Sequence, residues 1–264
     1  MMKAVLRALA PRGIYPHRIL AGALRGRQIV TSWHDYPAAI LGRTERELVA
    51  WFSDHIRPGE TWLDVGAHYG YTAIALCQCV GASGRVFAFE PLLRTAGHIE
   101  HTRSLNRLSQ LTVVPFGLAS PESIEVLQLP STRGMVDNTL LTKVGGDRRK
   151  KQGGTDVIED WSTALFASLD WVWPRICQGR EEIDGVKIDV QGMELKALEG
   201  MLRILRSARP VLIVELHHGV DRVDFLRLLG DAGYTNEPVA IEAPAVEGHP
   251  MELLDNHSYL FTPA

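Results

Sequence analysis

The sequence predicts an α/β protein built on a doubly wound, mostly parallel sheet. Short apolar runs such as TWLDV (61–65), RVFAFE (85–90) and PVLIVEL (210–216) lack the polar–apolar alternation of a half-exposed strand. Such runs are typical of strands buried on both faces of a parallel sheet. The segments between them carry apolar residues at helical spacing, and strands that alternate with helices indicate right-handed crossovers.

Composition limits the classes of protein that this chain belongs to. With 264 residues, 45% of them hydrophobic, it is long enough for one large core or for a domain with an appendage. A net charge of −3 gives no basic field, so we predict neither a nucleic-acid nor a membrane partner. Three cysteines argue against a disulfide framework, and we expect a cytoplasmic protein. Arg7 interrupts the first apolar stretch, which predicts a short surface helix rather than a leader or a membrane span.

Strands and helices alternate regularly after an N-terminal extension. Residues 1–57 form that extension, with a strand at RQIVTSW (27–33) and a helix at RTERELVAWFSDHI (43–56). Residues 58–264 form the main domain. Its strands are expected at TWLDV, RVFAFE, LTVVPF (111–116), GVKIDV (185–190), PVLIVEL and the tail SYLFTPA (258–264), and its helices at about 69–80, 93–106, 192–206 and 221–232.

A long excursion interrupts this order between about residues 119 and 184. It holds an alternating strand, SIEVLQL (123–129), and a basic loop, KVGGDRRKKQGG (143–154), which is more typical of a solvated tip than of a binding patch. Long excursions from a compact core are often functional, so we expect residues 134–141 and 168–174 to cover a substrate. Its tryptophans (Trp161, Trp171, Trp173) either stack on a substrate ring or pack on the core, and packing is favoured.

The stretch LDVGAHYGYT (63–72) predicts a ligand site where a strand turns into a helix. Gly66 permits a tight turn and a close approach of the ligand to the backbone, and the helix after it offers free N–H groups. A dinucleotide fingerprint requires glycine where this chain has His68 and Tyr71, and no phosphate-binding Gly-Lys-Ser/Thr follows. A nicotinamide-dependent oxidoreductase is therefore the weaker interpretation.

Two acids at strand ends favour a cationic cofactor. Asp64 precedes the glycine turn, where it would repel a pyrophosphate but attract a sulfonium and its α-amino group. Glu90 ends the next strand, 24 positions after Gly66, where a carboxylate accepts hydrogen bonds from the hydroxyls of an adenosine ribose. The pair predicts S-adenosylmethionine.

Several motifs together resemble the FkbM family of S-adenosylmethionine-dependent methyltransferases. The matching stretches are DVGAHYGYT, FAFEP, LNRLSQLTVVPFGLAS, VKIDVQGMELKALEG and PVLIVELH, within about residues 45–262. The resemblance implies a class I, Rossmann-like methyltransferase fold, with a seven-stranded sheet whose last strand is antiparallel. It also implies O-methylation of a hydroxyl on a small molecule or glycan, such as a sugar or polyketide. One departure is His68, where the family commonly has Asn.

The predicted site residues lie at or just after the strand ends. For the cofactor they are Asp64, Gly66, Ala67, His68, Tyr69, Gly70, Thr72, Glu90, Pro91, Phe116, Gly117 and Asp189. For catalysis they are Asp189, Glu194 and His217. An imidazole with an ordinary pKa near 6.5 is suited to taking a hydroxyl proton at neutral pH, which makes His217 the candidate base, and a structural or substrate hydrogen-bonding role is the open alternative. Glu194 has the alternative role of stabilising the first turn of its helix.

Two further alternatives stay open. Asp189, Glu194, Glu215 and His217 together are able to hold Mg²⁺ or Mn²⁺, but no spacing requires an ion, and we predict none. The chain is also open to interpretation as a regulatory module that keeps the cofactor site without turnover. The sequence leaves the acceptor and the oligomeric state undetermined.

Overall fold

The computed structural model describes residues 11–120, 122–132, 135–136, 142–143, 160–235, 237–242 and 253–264. A seven-stranded sheet is its centre. Its strands are β3 (Thr61–Val65), β4 (Arg85–Phe89), β5 (Leu111–Val114), β11 (Gly185–Ile188), β12 (Val211–Leu216), β13 (Val239–Ala240) and β14 (His257–Phe261). Their order across the sheet is β13-β14-β12-β11-β3-β4-β5. The neighbours from β12 to β5 pair in parallel, and β14 pairs antiparallel with β12 and β13. The predicted fold class, including the antiparallel last strand, is confirmed.

Helices connect these strands. They are α1 (Pro37–Leu41), α2 (Arg46–His55), α3 (Tyr71–Val80), α4 (Leu93–Asn106), α5 (Leu169–Ile176), α6 (Glu194–Glu199), α7 (Leu202–Ser207) and α8 (Arg222–Asp231). The prediction of a single helix over 192–206 was wrong, because the helix is interrupted at Gly200 and the segment forms two short helices. A side chain at Gly200 would place its Cβ 2.1 Å from the carbonyl oxygen of Ala119, so glycine is required where these segments meet.

The excursion forms a second, smaller sheet in its described part. The order of strands across this sheet is β6 (Gly117–Leu118), β10 (Asp160–Ala167), β7 (Glu125–Thr132) and β8 (Met135–Val136). A further strand, β9 (Thr142–Lys143), pairs with β7. Residues 125–129 of the alternating segment 123–129 are therefore part of a strand, as expected, and β7 begins two residues later than predicted. Of the expected lid at 134–141 only Met135 and Val136 are described, and the basic loop 145–154 lies outside the described residues, as does the expected helix within residues 1–10.

The prediction that residues 168–174 cover a substrate was wrong. This segment forms most of α5, whose Trp173 is 3% exposed and lies edge-on to Phe87 of the main sheet, with 5.0 Å between ring centroids. The Trp173 indole N–H donates to the carbonyl oxygen of Glu181. Burial of a large aromatic ring in the core is strongly favourable, which explains why the helix packs inward rather than over the pocket.

The N-terminal segment packs against one face of the main domain. A hairpin of β1 (Tyr15–Arg18) and β2 (Gln28–Thr31) is fixed to α4, where Asn106 Oδ1 accepts from the N–H of Gln28 and Thr102 Oγ1 from that of Val30, each at 2.9 Å. These bonds satisfy backbone donors that the hairpin edge would otherwise leave unpaired. The chain then passes over the crevice described below. The domain boundary at residue 57 stays a prediction.

The winding of the sheet reverses between β3 and β11. From β3 the chain proceeds through β4 to β5, whereas β11 and β12 lie on the other side of β3. In open α/β sheets ligands bind beyond the carboxyl ends of the strands at such a point. Here those ends are Val65 and Ile188, and the next residues, Gly66 and Asp189, begin the site.

Candidate active site

A cavity of about 250 Å³ opens at the carboxyl edge of the sheet, where β3, β4 and β11 end. Its lining combines apolar walls with an unusual density of acids. The apolar and aromatic members include Val65, Phe89, Phe116, Leu118, Phe166, Val190 and Met193, and the acids are Asp35, Glu45, Glu90, Asp189 and Glu215. Among the described lining residues there is no lysine or arginine, so the cavity favours positively charged ligands.

The glycine turn after β3 is shaped by its contact with β11. Gly66 has φ +83, and a Cβ there would lie 1.8 Å from the carbonyl oxygen of Asp189. The N–H groups of Gly66 and Ala67 both donate to the carbonyl oxygen of Phe89 at 3.0 Å. His68 and Gly70 also have positive φ, so the turn extends to residue 70 and α3 begins only at Tyr71, two residues later than expected.

Glu90 lies in the wall of the cavity and holds the turn in place. Its two carboxylate oxygens accept from the backbone N–H groups of His68 and Leu92, both at 3.0 Å. Burial raises the pKa of Glu90 to about 8, against the opposing effect of these two hydrogen bonds. Each carboxylate oxygen keeps a further lone pair, so the group retains acceptor capacity for a hydroxyl pair in the cavity.

Asp64 faces away from the cavity. It is fully buried, its Oδ2 accepts from Thr72 Oγ1 at 2.7 Å, and its Oδ1 lies 3.4 Å from Lys187 Nζ. Lys187 Nζ is also 3.4 Å from Asp189 Oδ2, and the two carboxylates outweigh the effect of burial and raise the pKa of the lysine. Asp64 is thus placed to fix α3 and the lysine rather than to contact a ligand.

The cofactor residues predicted from the sequence divide into two groups. Gly66, His68, Glu90, Pro91, Phe116, Gly117 and Asp189 line the cavity. Asp64, Ala67, Tyr69 and Thr72 are buried behind it, and Gly70 is the N-cap residue directly before α3. The residues of the second group do not line the cavity. The four buried side chains pack in the interior and hold the turn between β3 and α3.

The predicted catalytic residues come together beside the cavity. His217 follows β12, and its Nδ1 lies 2.7 Å from Oε1 of the fully buried Glu194 on α6. Its Nε2 lies 3.6 Å from Asp189 Oδ1 and 3.4 Å from Glu215 Oε1. The amide nitrogen of Gln191 occupies the space between, 2.8 Å from Nε2 and 3.0 Å from Asp189 Oδ1. Glu194 also accepts from the N–H of Gly192, so it acts within this group and at its own helix start.

The charges of this group determine its protonation. Burial lowers the pKa of His217, but the carboxylates of Glu194, Glu215 and Asp189 outweigh burial and raise it to about 10. Burial raises the pKa of Asp189, but the positive charges of Lys187 and His217 outweigh burial, so its pKa is lowered. The reason for naming His217 as a base, an ordinary pKa near neutrality, therefore does not hold in the ligand-free protein, although its position remains suitable.

The N-terminal segment supplies a wall of the cavity that sequence reasoning missed. Asp35, Tyr36, Thr44 and Glu45 all line it. The Tyr36 ring lies 5.2 Å from the His68 ring between centroids, and Glu45 has φ +51, a left-handed conformation that costs a non-glycine residue energy. Burial raises the pKa of Glu45 to about 7. No motif marked these residues, because only the folded chain brings them to the strand ends.

The sheet order, the antiparallel β14 and the glycine-turn crevice at the point where the winding reverses define a class I S-adenosylmethionine-dependent methyltransferase. The model of the Methyltransferase FkbM domain matches residues 64–235. The chain belongs to this family, as its motifs suggested, and its cofactor is S-adenosylmethionine. It is also 29% identical over 197 residues to hexuronic acid methyltransferase AglP of Haloferax volcanii, across 74% of this chain and 72% of AglP.

Solved structures with similar folds are distant in sequence. An FkbM methyltransferase from Methylobacillus flagellatus KT is 16% identical, with a TM-score of 0.47 over 80% of this chain and 50% of that one. Aeropyrum pernix fibrillarin with bound S-adenosylmethionine is 13% identical, with a TM-score of 0.44 over 95% of this chain and 82% of that one. Among the described residues, no helix combines the length and apolar character needed to cross a membrane.

Proposed function

We propose that this methyltransferase transfers the methyl group of S-adenosylmethionine to a hydroxyl oxygen of a small molecule or glycan. The observation that supports the proposal is the group of Asp189, Glu194 and His217, which lies beside the cavity at the sheet edge where we predict the cofactor binds. A hydroxyl is a weak nucleophile until its proton leaves, so an O-methyltransferase needs charged groups at this position. An acceptor that is already strongly nucleophilic would not need them.

The reaction is an in-line displacement. A lone pair of the acceptor oxygen forms the bond to the methyl carbon, the carbon–sulfur bond breaks, and its electron pair stays on sulfur to give S-adenosylhomocysteine. The hydroxyl proton leaves to a group at the acceptor end of the cavity. Alignment of the two reactants supplies a large part of the rate, and in our proposal Asp189 and His217 face the acceptor oxygen while Glu194 fixes the imidazole.

Two observations support a sugar-like acceptor. AglP, the relative at 29% identity, is named for a hexuronic acid. The wall formed by Asp35, Tyr36, Thr44 and Glu45 presents carboxylates and hydroxyls, which are the groups that hydrogen-bond to the hydroxyls of a sugar, and Tyr36 adds an aromatic surface. We infer that this wall contacts the acceptor and the glycine turn contacts the cofactor. We also retain the prediction of a cytoplasmic protein without a nucleic-acid partner.

Titration calorimetry and a transfer assay test the proposal. S-adenosylmethionine and S-adenosylhomocysteine should bind to the purified chain, whereas NAD should not, which separates the proposal from an oxidoreductase. Methyl transfer from isotopically labelled cofactor is then followed over a panel of neutral sugars, uronic acids and phenolic or polyketide hydroxyls. Tight cofactor binding without transfer to any member of the panel would favour the regulatory module instead.

A further inference from the structure

We propose that Asp189, Glu215 and His217 bind a divalent cation that holds the acceptor oxygen during methyl transfer. The three side chains each present one ligand atom, and these atoms lie within 4.8 Å of one another. They come from the ends of two adjacent strands, β11 and β12, so the sheet itself sets their spacing. The inference rests on the proposed function and deepens it.

The distances suit shared coordination better than hydrogen bonding. His217 Nε2 is 3.6 Å from Asp189 Oδ1 and 3.4 Å from Glu215 Oε1, both longer than an ordinary N–H···O bond of about 2.9 Å. Nitrogen and oxygen ligands lie about 2.1 Å from Zn²⁺, and oxygen ligands lie at similar distances from Mg²⁺. Two ligands of one such ion are then about 3.0–3.4 Å apart, for octahedral and tetrahedral angles respectively. The two separations from His217 lie close to this range.

Glu194 gives the imidazole the partner that metal-binding histidines usually have. A histidine that binds a metal through one ring nitrogen almost always donates the N–H of the other to a carboxylate or carbonyl. Glu194 Oε1 is 2.7 Å from Nδ1 of His217, so with the proton on Nδ1 the Nε2 lone pair points toward Asp189 and Glu215. In the ligand-free protein the amide nitrogen of Gln191 lies between His217 Nε2 and Asp189 Oδ1. A cation in that space would contact the same two atoms.

Uncompensated negative charge is a second, independent indication. Glu194 is fully buried, and its Oε2 has no hydrogen-bond partner among the described residues. A buried carboxylate without compensation is costly, and Lys187 already lies between Asp64 and Asp189. Even with a positive charge on His217, this imidazole and Lys187 supply two positive charges for the four carboxylates of Asp64, Asp189, Glu194 and Glu215, so the group keeps an excess of negative charge. A divalent ion at the Nε2 side of His217 balances this excess, and it also provides a positive centre for an anionic sugar in a cavity lined by acids.

Three protein ligands leave coordination positions open for the acceptor. A cation there would polarise the hydroxyl, so its O–H bond breaks more readily and the proton passes to water or to a carboxylate of the wall. The oxygen then attacks the methyl carbon while sulfur takes the electron pair of the breaking bond. One imidazole with two carboxylates suits Mn²⁺ or Mg²⁺, and Mn²⁺ is the more informative probe because its electron paramagnetic resonance signal reports binding.

Mn²⁺ binding to the intact, chelator-treated chain tests the assignment directly, without reference to activity. We expect one saturable site per chain, followed by titration calorimetry and by loss of the free Mn²⁺ resonance. Glu215→Gln and His217→Ala should each weaken binding by at least tenfold, and Glu194→Gln by about 10–100-fold through the orientation of the imidazole. His218→Ala is the matched control, because that neighbouring side chain is 97% exposed, and it should bind Mn²⁺ as the parent does. Circular dichroism of each variant checks the fold.

The outcomes separate this inference from the proposed function. Absence of saturable Mn²⁺ binding by the parent, or equal affinity in the parent and Glu215→Gln, overturns the metal site. Methyl transfer that continues undiminished in the chelator-treated chain also overturns it, while the proposed function stands and His217 returns as the base. Saturable binding that the ligand variants abolish, with no transfer to any hydroxyl acceptor, retains the metal site and contradicts the proposed function.

Discussion

The carbonyl oxygen of Asp189 occupies the space that a side chain on Gly66 would need. A Cβ on Gly66 would be 1.8 Å from that oxygen, and the glycine has φ +83. The contact joins the ends of β3 and β11, which also contribute the turn that we predict contacts the cofactor and the carboxylate that we place at the acceptor end. In this proposal the cofactor and acceptor halves of the site are fixed to each other through backbone rather than through mobile side chains.

Gly66→Ala should abolish cofactor binding. The methyl group meets backbone, which cannot rotate away, and an alanine at this positive φ is strained by a further 1–2 kcal/mol, approximately. We expect affinity for S-adenosylhomocysteine, measured by calorimetry, to fall by more than about a hundredfold. Gly219→Ala is the control for backbone strain alone, since it has φ +86 and nothing within 4 Å of its Cβ position. Equal affinities of the two variants would show that the contact with Asp189 has no bearing on the site.

Cofactor affinity should depend on pH through Glu90. Burial raises its pKa to about 8, while the charges of Asp64 and Lys187 act on it in opposite directions. The ionised carboxylate is the better acceptor for ribose hydroxyls, so affinity should rise by about tenfold from pH 7 to pH 9, as the ionised fraction increases. The stability of the ligand-free protein should change in the opposite sense, because a raised folded-state pKa contributes stability that is lost as pH rises from about 4.5 to about 8.

Glu90→Gln provides the control for that profile. Its amide has no charge to gain, so the affinity for S-adenosylhomocysteine should be lower than in the parent at pH 9 and nearly flat between pH 7 and pH 9. The measurement is a calorimetric titration at each pH. A Glu90→Gln profile that rises as steeply as that of the parent would assign the pH dependence to another group.

Lys187→Met should destabilise the fold strongly. Lys187 is buried between Asp64 and Asp189, and removing its positive charge leaves the fully buried carboxylate of Asp64 without a compensating charge and takes one from the partly exposed Asp189. Loss of one partner of a buried ion pair costs about 3–5 kcal/mol in the free energy of unfolding. Urea denaturation at neutral pH measures this change, with the exposed Lys196→Met as the control. A loss below about 1 kcal/mol would mean that the lysine is not needed to balance Asp64 and Asp189.

His217→Ala should lower turnover without a matching loss of cofactor binding. In our proposal the imidazole faces the acceptor oxygen, and removal of a general acid or base typically costs about 10²–10⁴-fold in rate. Initial rates at saturating cofactor, together with the dissociation constant of S-adenosylhomocysteine, separate the two effects. His218→Ala, with an exposed side chain next along the chain, should keep the rate of the parent. Near-parental turnover of His217→Ala would remove this residue from the mechanism.

The strand-end residues were predictable because parallel strands bring their carboxyl ends to one edge. Gly66, Glu90 and Asp189 each follow a buried apolar run, so their place at the crevice follows from the pattern alone. The role of Asp64 did not follow. Alternation along a strand predicts the face of the sheet on which a side chain lies. The contact between Asp64 and Lys187 depends instead on the register in which β3 pairs with β11, which the sequence pattern does not give.

The wall from the N-terminal segment was not predictable for a related reason. Tyr36 and Glu45, which line the cavity, follow a β1–β2 hairpin that Asn106 and Thr102 fix to α4 from more than 70 positions further along the chain. No local pattern encodes a contact of that separation. The same limit applies to residues 168–174, which were expected to cover a substrate, whereas Trp173 packs against Phe87 in the core, as favoured for the tryptophans.

The most direct test of O-methylation is the position of the transferred methyl group. The chain is incubated with S-adenosylmethionine labelled with carbon-13 on its methyl and with a sugar or other hydroxyl acceptor, and the product is analysed by nuclear magnetic resonance. We predict the label as a methyl ether on a hydroxyl oxygen, with the yield greatly reduced in Asp189→Asn and His217→Ala. Label on nitrogen or carbon of the acceptor, or parental yields from both variants, would contradict the proposal.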